Sequence, residues 1–282
     1  MQRNRPKKKN IFLVLLVLIM AVGCSNLESE SLLETNNNVE TPEELLEIIF
    51  EYYNGQDALG ISLNTWGDSI IAYDLTFEDY LATIEKELFI NEYKITDYLI
   101  AQKTQLETDY EAYIFNVVLK LESDTETISR ERDYVIIKHE EYGWQYSYNN
   151  VLESYSTLEE FLVPEEDKFN IIITKRIIKP EEIEVYFEIH NNSERGFSLG
   201  WVNPSQIIVN IEEGEFREEI SNMTVPDFKK IFLAGESHKM SVTVNGSHNP
   251  SGKFIITEIV PLDDRGLPSF SEEPFDYTII FN

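Results

Sequence analysis

The sequence predicts two consecutive folding units: an α+β domain of helices on a curved antiparallel sheet, then an all-β sandwich. Three observations carry this. Two segments, opening at Thr41 and Thr76, place apolar residues at helical spacing behind helix-start signals. After Ile90 the apolar period changes from 3.6 to two. Beyond Pro164 almost every apolar segment alternates and is bounded by turn residues.

The first helix opens at Thr41-Pro42-Glu43-Glu44, where Thr41 caps, Pro42 suits the first helical position and Glu44 completes a capping box. Leu45, Ile48, Ile49, Tyr52 and Tyr53 follow at helical spacing, and Asn54-Gly55 ends the run. A short helix ending near Trp66-Gly67 is expected between Ala58 and Ala72. Thr76-Phe77-Glu78-Asp79 starts the next, with Tyr80, Leu81, Ile84, Leu88 and Phe89. Strands are predicted at Tyr93–Gln102, Ala112–Leu121, Arg132–His139 and Trp144–Asn149, the last two joined by a hairpin at Glu140–Gly143. Helices followed by four antiparallel strands make one α+β domain over 41–163, closed by a short helix at Thr157–Leu162.

Residues 164–167 read as a linker and 168–282 as the sandwich. Ile183, Val185, Phe187 and Ile189 alternate with polar residues, as do Met240, Val242 and Val244. Further strands are expected at Phe169–Ile178, Phe197–Val202, Gln206–Glu212, Lys230–Leu233, Phe254–Val260 and Phe275–Phe281. By charge the two units look like separate bodies: 41–163 holds 7 basic and 26 acidic residues, 164–282 holds 11 and 21.

The 282 residues carry a net charge of −28, and five of the 23 basic residues lie before residue 24. So acidic a body excludes nucleic acid, whose phosphates need a basic surface, and electrostatic docking on anionic lipid. One cysteine and four histidines exclude disulfide scaffolds and Cys/His zinc sites.

Residues 1–23 have the parts of a secretory signal: basic Arg3 to Lys9, then the apolar run Ile11 to Val22, then Gly23. Twelve apolar residues make a helix of about 18 Å, short for a hydrocarbon core of about 30 Å. Ala21-Val22-Gly23-Cys24 resembles the lipobox of bacterial lipoproteins, with alanine where that family usually has leucine. The resemblance implies cleavage before Cys24, a diacylglyceryl group on its thiol, and residence on the outer face of a bacterial cell membrane. Richness in Lys, Asn, Ile, Glu and Tyr suggests a single-membrane organism. Sequons at Asn191, Asn222 and Asn245 are accordingly not read as glycan acceptors. Residues 24–40, polar and including Asn36-Asn37-Asn38, are expected to form a flexible tether that spans about 20 Å as a coil.

The order of elements in 41–163, with Val135-Ile136-Ile137-Lys138 and Gly143-Trp144-Gln145-Tyr146 in its last hairpin, resembles the nuclear-transport-factor-like cone fold. Catalytic members of that family hold an acid/base pair inside the cone, and no such pair can be matched here. Phe187–Ser193 and Phe232–Ser237 resemble the immunoglobulin-like domains of Gram-positive surface lipoproteins, although Ala234 stands where proline is usual and there is no Cys…Trp…Cys pattern.

No Gly-x-Ser-x-Gly elbow or glycine-rich phosphate loop occurs, and the histidines lack metal-ligand spacing. Neither catalysis nor a cofactor is expected. Acidic doublets such as Asp263-Asp264 lack calcium-loop spacing and read as solvated faces that attract divalent cations weakly. The candidate ligand-binding residues are aromatic: Trp144, Tyr146 and Tyr148 on one face of a strand, with Tyr113 opposite. Such rings either form sheet core or line a pocket for a small apolar ligand. The function expected is a lipid-anchored, non-catalytic binding or interaction module, its partner a cell-surface protein or a small apolar molecule.

Overall fold

The computed structural model describes residues 39–156, 169–200, 203–211, 214–219, 229–246, 252–269 and 271–281. Cys24, the tether before 39, the expected helix 157–162, the linker and Trp201 lie outside the described residues. Helices packed on an antiparallel sheet are followed by further antiparallel sheets, so the chain is mostly β with few helices.

Helix α1 (Pro42–Gly55) has the capping box that Thr41 and Glu44 predict, and Gln56 ends it in the left-handed region at φ 55°. Where one short helix was expected, two occur: α2 (Ala58–Leu63), capped by Asp57, and α3 (Gly67–Ile71). Helix α4 (Phe77–Ile90) starts from the second capping box, Thr76 with Asp79. Leu45, Leu46, Ile49 and Phe50 of α1 are buried against the first sheet, and Ile61, Ile70, Tyr80, Ile84 and Leu88 bind the helices to one another.

That sheet is a meander of β1 (Lys94–Gln105), β2 (Ala112–Glu122), β3 (Thr127–His139) and β4 (Gly143–Tyr146). Strand β3 begins five residues before the expected Arg132. Its polar start hides the alternation, yet pairing with β2 continues to Glu122↔Thr127. Strand β4 stops at Tyr146, three residues short of the expected end. Asn149 and Asn150 adopt left-handed backbone at φ 51° and 60°, a conformation asparagine tolerates best after glycine. The Asn150 carboxamide accepts from Val135 N at 3.0 Å, folding the chain back over the sheet. Tyr148 therefore sits on a 3₁₀ turn (Tyr148–Asn150), not on the strand.

The second half has two sheets. One contains β5 (Glu153–Ser156), β6 (Phe169–Ile178), β7 (Glu182–Asn191) and β12 (Ser237–Asn245), in the order β12-β7-β6-β5. The other contains β8 (Phe197–Leu199), β9 (Gln206–Ile211), β10 (Gly214–Glu219), β11 (Ile231–Phe232), β13 (Gly252–Pro261) and β14 (Phe275–Phe281). Its order is β10-β9-β13-β8-β11, with β14 also on β13. Two strands were not anticipated. β10, rich in charge, is an edge strand, where charges protect against pairing with other chains. β5 precedes the expected linker yet pairs with β6.

The apolar faces of both sheets share one cluster, with Phe187 of β7 and Phe254 of β13 at 5.2 Å between ring centres. Asn191 links the two sheets. Fully buried, it donates to Arg195 O at 2.6 Å and Phe232 O at 3.1 Å, while Ser193 N and Oγ donate to its carbonyl oxygen.

The same cluster takes in Ala112, Val135 and Ile137 of the first sheet. Phe115, Val117, Leu119 and Ile136 face the helices instead. The first sheet is thus covered on both faces at its β2–β3 centre. This accounts for three consecutive buried residues, Val135-Ile136-Ile137, in a strand whose first half is largely exposed. Polar contacts extend the seam: Tyr73 donates to Glu184 at 3.3 Å, and Lys175 to Ala72 O at 3.0 Å and to Asp74. The two charge-defined bodies are therefore joined across a buried layer.

Candidate functional site

The inner face of the first sheet and the helices above it enclose a cavity of about 150 Å³. Each wall follows from a pattern already described. Helical spacing brings Ile49, Phe50 and Tyr53 of α1 and Ile84, Glu87 and Leu88 of α4 over the sheet. Strand alternation sends Leu119 and Leu121 of β2, and Arg130, Arg132 and Tyr134 of β3, to the same side. Tyr146 closes the floor from β4. The Asn54 side chain both donates to and accepts from the backbone of Ile95, at 2.8 Å each way, pinning the end of α1 to β1. The cavity adjoins a wider cleft of about 580 Å³, and Tyr53, Leu88 and Asn91 line both.

Along β3 the order Arg130-Glu131-Arg132-Asp133-Tyr134 sorts charge by face. Both bases lie with the cavity, opposite the buried Leu119 and Val117 of β2. Both acids point the other way, where Asn116 donates to Glu131 at 2.7 Å and Asp133 at 3.0 Å. Arg130 lies 5.9 Å from the Tyr93 ring centre.

Burial pushes the phenol of Tyr134 up to about 12, against the pull of the Arg132 guanidinium. Tyr53 and Tyr146 are raised for the same reason. At neutral pH the cavity therefore presents neutral phenols, with Arg130, Arg132 and Glu87 beside aliphatic side chains. Such groups can hold and orient a small molecule. Among the described residues no three His, Cys, Asp or Glu side chains are grouped to hold a metal ion.

The raised phenols predict an alkaline transition. A phenol whose folded value exceeds its ordinary value of 10.0 favours the neutral form in the fold. Its stabilisation is complete below pH 10 and is lost as pH rises towards the folded value of about 12. Phenolate absorbance and far-ultraviolet circular dichroism should change together between those limits. Full tyrosine ionisation near pH 10 with the dichroism unchanged would contradict the burial described.

Of the four aromatic residues singled out from sequence, only Tyr146 lines this cavity. Trp144 is buried at the other end of the sheet, donating from Nε1 to Glu40 O at 3.1 Å and lying 5.9 Å from Tyr113 between ring centres. Tyr113 carries the Lys103 ammonium 4.3 Å above its ring centre. Tyr148 packs among the helices, 4.8 Å from Tyr80 and 5.6 Å from Tyr73. The arginines, Tyr53 and Tyr134 were missed, although the charge alternation along β3 was visible in the sequence.

The histidines among the described residues do not line this cavity. His139 stacks on Tyr142 in the hairpin, and His190 approaches Glu188 at 3.5 Å on β7. No helix among the described residues is long and apolar enough to cross a membrane. Comparison with known proteins finds no family model that matches the chain and no significant similarity to a characterised protein.

Proposed function

We propose that the protein is a lipid-anchored extracytoplasmic binding protein that acts without catalysis and holds a small molecule beneath its helices. The observation that carries this reading is the cavity itself, lined by aliphatic and aromatic side chains and bordered by a few convergent polar groups. That is the usual construction of a small-molecule site. The resemblance of 41–163 to nuclear-transport-factor-like cones supports it, because that family uses the space between helices and sheet, and the cavity here lies between helices and sheet. The resemblance of 168–282 to immunoglobulin-like sandwiches supports a surface module carrying that pocket. The sequence around Cys24 supports the anchor, since two acyl chains bind a bilayer at about 0.8 kcal/mol per buried methylene. A docking surface for another protein is the second reading, favoured by Phe89 and Ile90, 88% and 65% exposed at the end of α4.

Native mass spectrometry of the mature protein, purified from a bacterial host in detergent, tests the proposal. A mass on the N-terminal peptide equal to a diacylated Cys24, and a second, discrete mass lost on denaturation, are expected. An unmodified Cys24 would remove the anchor, and a polypeptide mass without adduct would move the weight to protein docking.

A further inference from the structure

We propose that the ligand of this cavity is a small organic carboxylate, its acid group held by Arg130 and Arg132 and its apolar body against Leu119, Leu121 and Ile49. The inference rests on the binding role proposed above and adds the chemical class of the ligand.

Residues 41–163 contain 26 acidic residues and only 7 basic ones, of which two are arginine. Both arginines line the one cavity. With acids in nearly fourfold excess, the partners seen among the described residues are nonetheless phenols, Tyr134 for Arg132 and the Tyr93 ring for Arg130, and both guanidinium groups are solvent-exposed. Strand alternation turns Glu131 and Asp133 away, and Asn116 holds them on the far face. The guanidinium groups come from positions two residues apart on a strand, about 7 Å along it. Their stems lie beside the buried Val117 and Leu119.

A guanidinium presents a planar fork of donors that matches a carboxylate, and hydrogen bonds between ionised partners are the stronger kind. Neutral phenols at Tyr53 and Tyr134 add donors. Opposing charge comes from Glu87 on α4, which faces the same space. In the adjoining cleft, Lys94 stands against Glu92 and Asp124. The cavity proper therefore has a net positive lining in a strongly negative protein. Its volume of about 150 Å³ suits an apolar body near the size of a benzene ring.

Isothermal titration of the mature protein in nanodiscs, with empty nanodiscs as blank, compares benzoate with its neutral isostere benzamide. Benzoate should bind at least about tenfold more tightly, the size of one charge-assisted contact. In the R130Q/R132Q double variant that preference should vanish with the melting temperature unchanged. E87Q removes the repelling carboxylate and should strengthen benzoate binding several-fold while leaving benzamide alone. Equal affinity for the two probes would overturn the carboxylate assignment and leave the cavity as a neutral-ligand site. A preference that survives in the double variant, or an E87Q variant that binds benzoate no better, would also overturn it. Binding of neither probe would overturn both this assignment and the small-molecule role.

Discussion

Substituting Ile137→Asp should destabilise the protein by about 3–5 kcal/mol, the loss expected when a carboxylate is buried without a partner. Ile137 stands on the face of the first sheet that turns away from the helices, and in a free-standing α+β domain that face would meet water. A surface substitution there would cost within about 0.5 kcal/mol. Ile137 is instead 2% exposed and belongs to the cluster that contains Phe169, Ile171 and Phe187 from beyond the expected linker. Guanidinium denaturation followed by tryptophan fluorescence decides between the two values. Ile137→Val, which keeps the apolar contact, should cost only about 0.5–1.5 kcal/mol. A loss below about 1 kcal/mol for the aspartate variant would mean that the two halves are not joined at this layer. Acidification should recover part of the loss, because burial raises the carboxyl pKa and the protonated form is less costly to enclose.

Phe187→Ala should cost about 3–5 kcal/mol, the range for removing a fully buried aromatic ring. The side chain is 1% exposed, pairs across strands with Met240 and Ile173, and meets Phe254 of the other sheet. It thus contacts both sheets, and its removal leaves a void that neighbours held by their own ladders cannot collapse to fill. Against a typical total of about 5–15 kcal/mol, this is a large share, and thermal unfolding should move well below the wild type. Phe187→Leu keeps most of the volume and should cost under about 1.5 kcal/mol. Equal losses for the two variants would place Phe187 outside the packed centre.

Much of the local structure was legible. Thr41 with Glu44 and Thr76 with Asp79 mark both long helices through side-chain caps on unpaired backbone N–H groups, which act within one turn of the chain. Strict alternation in Ile183–Ile189 marks β7 because one of its faces is apolar. Misreadings fell where the local signal was absent or ambiguous. The polar start of β3 and the charged β10 are held by ladder partners rather than by an apolar face. Strand β4 was overextended because Ser147-Tyr148 continues the alternation, although two left-handed asparagines redirect the chain.

The candidate site divides in the same way. Aromatic richness near Trp144–Tyr148 drew attention to the sheet that lines the cavity, and Tyr146 does reach it. Trp144 and Tyr148 do not, because their neighbours come from Glu40 and from Tyr73 and Tyr80, contacts between distant positions. The alternation of Arg130 to Tyr134 already separates bases from acids, since a strand's side chains alternate whatever surrounds it. Which of those faces meets a cavity depends on where α1 and α4 are laid down.

Caps and periods could thus be read directly, because each is set by neighbours within a few residues. Coverage of the first sheet on both faces, the burial of Val135-Ile136-Ile137 and the placing of two solvent-exposed arginines beside a cavity required the folded chain. Each depends on apolar surface buried between segments far apart in the chain, and burial of that kind is non-directional. An apolar stripe declares that it will be covered without naming what will cover it.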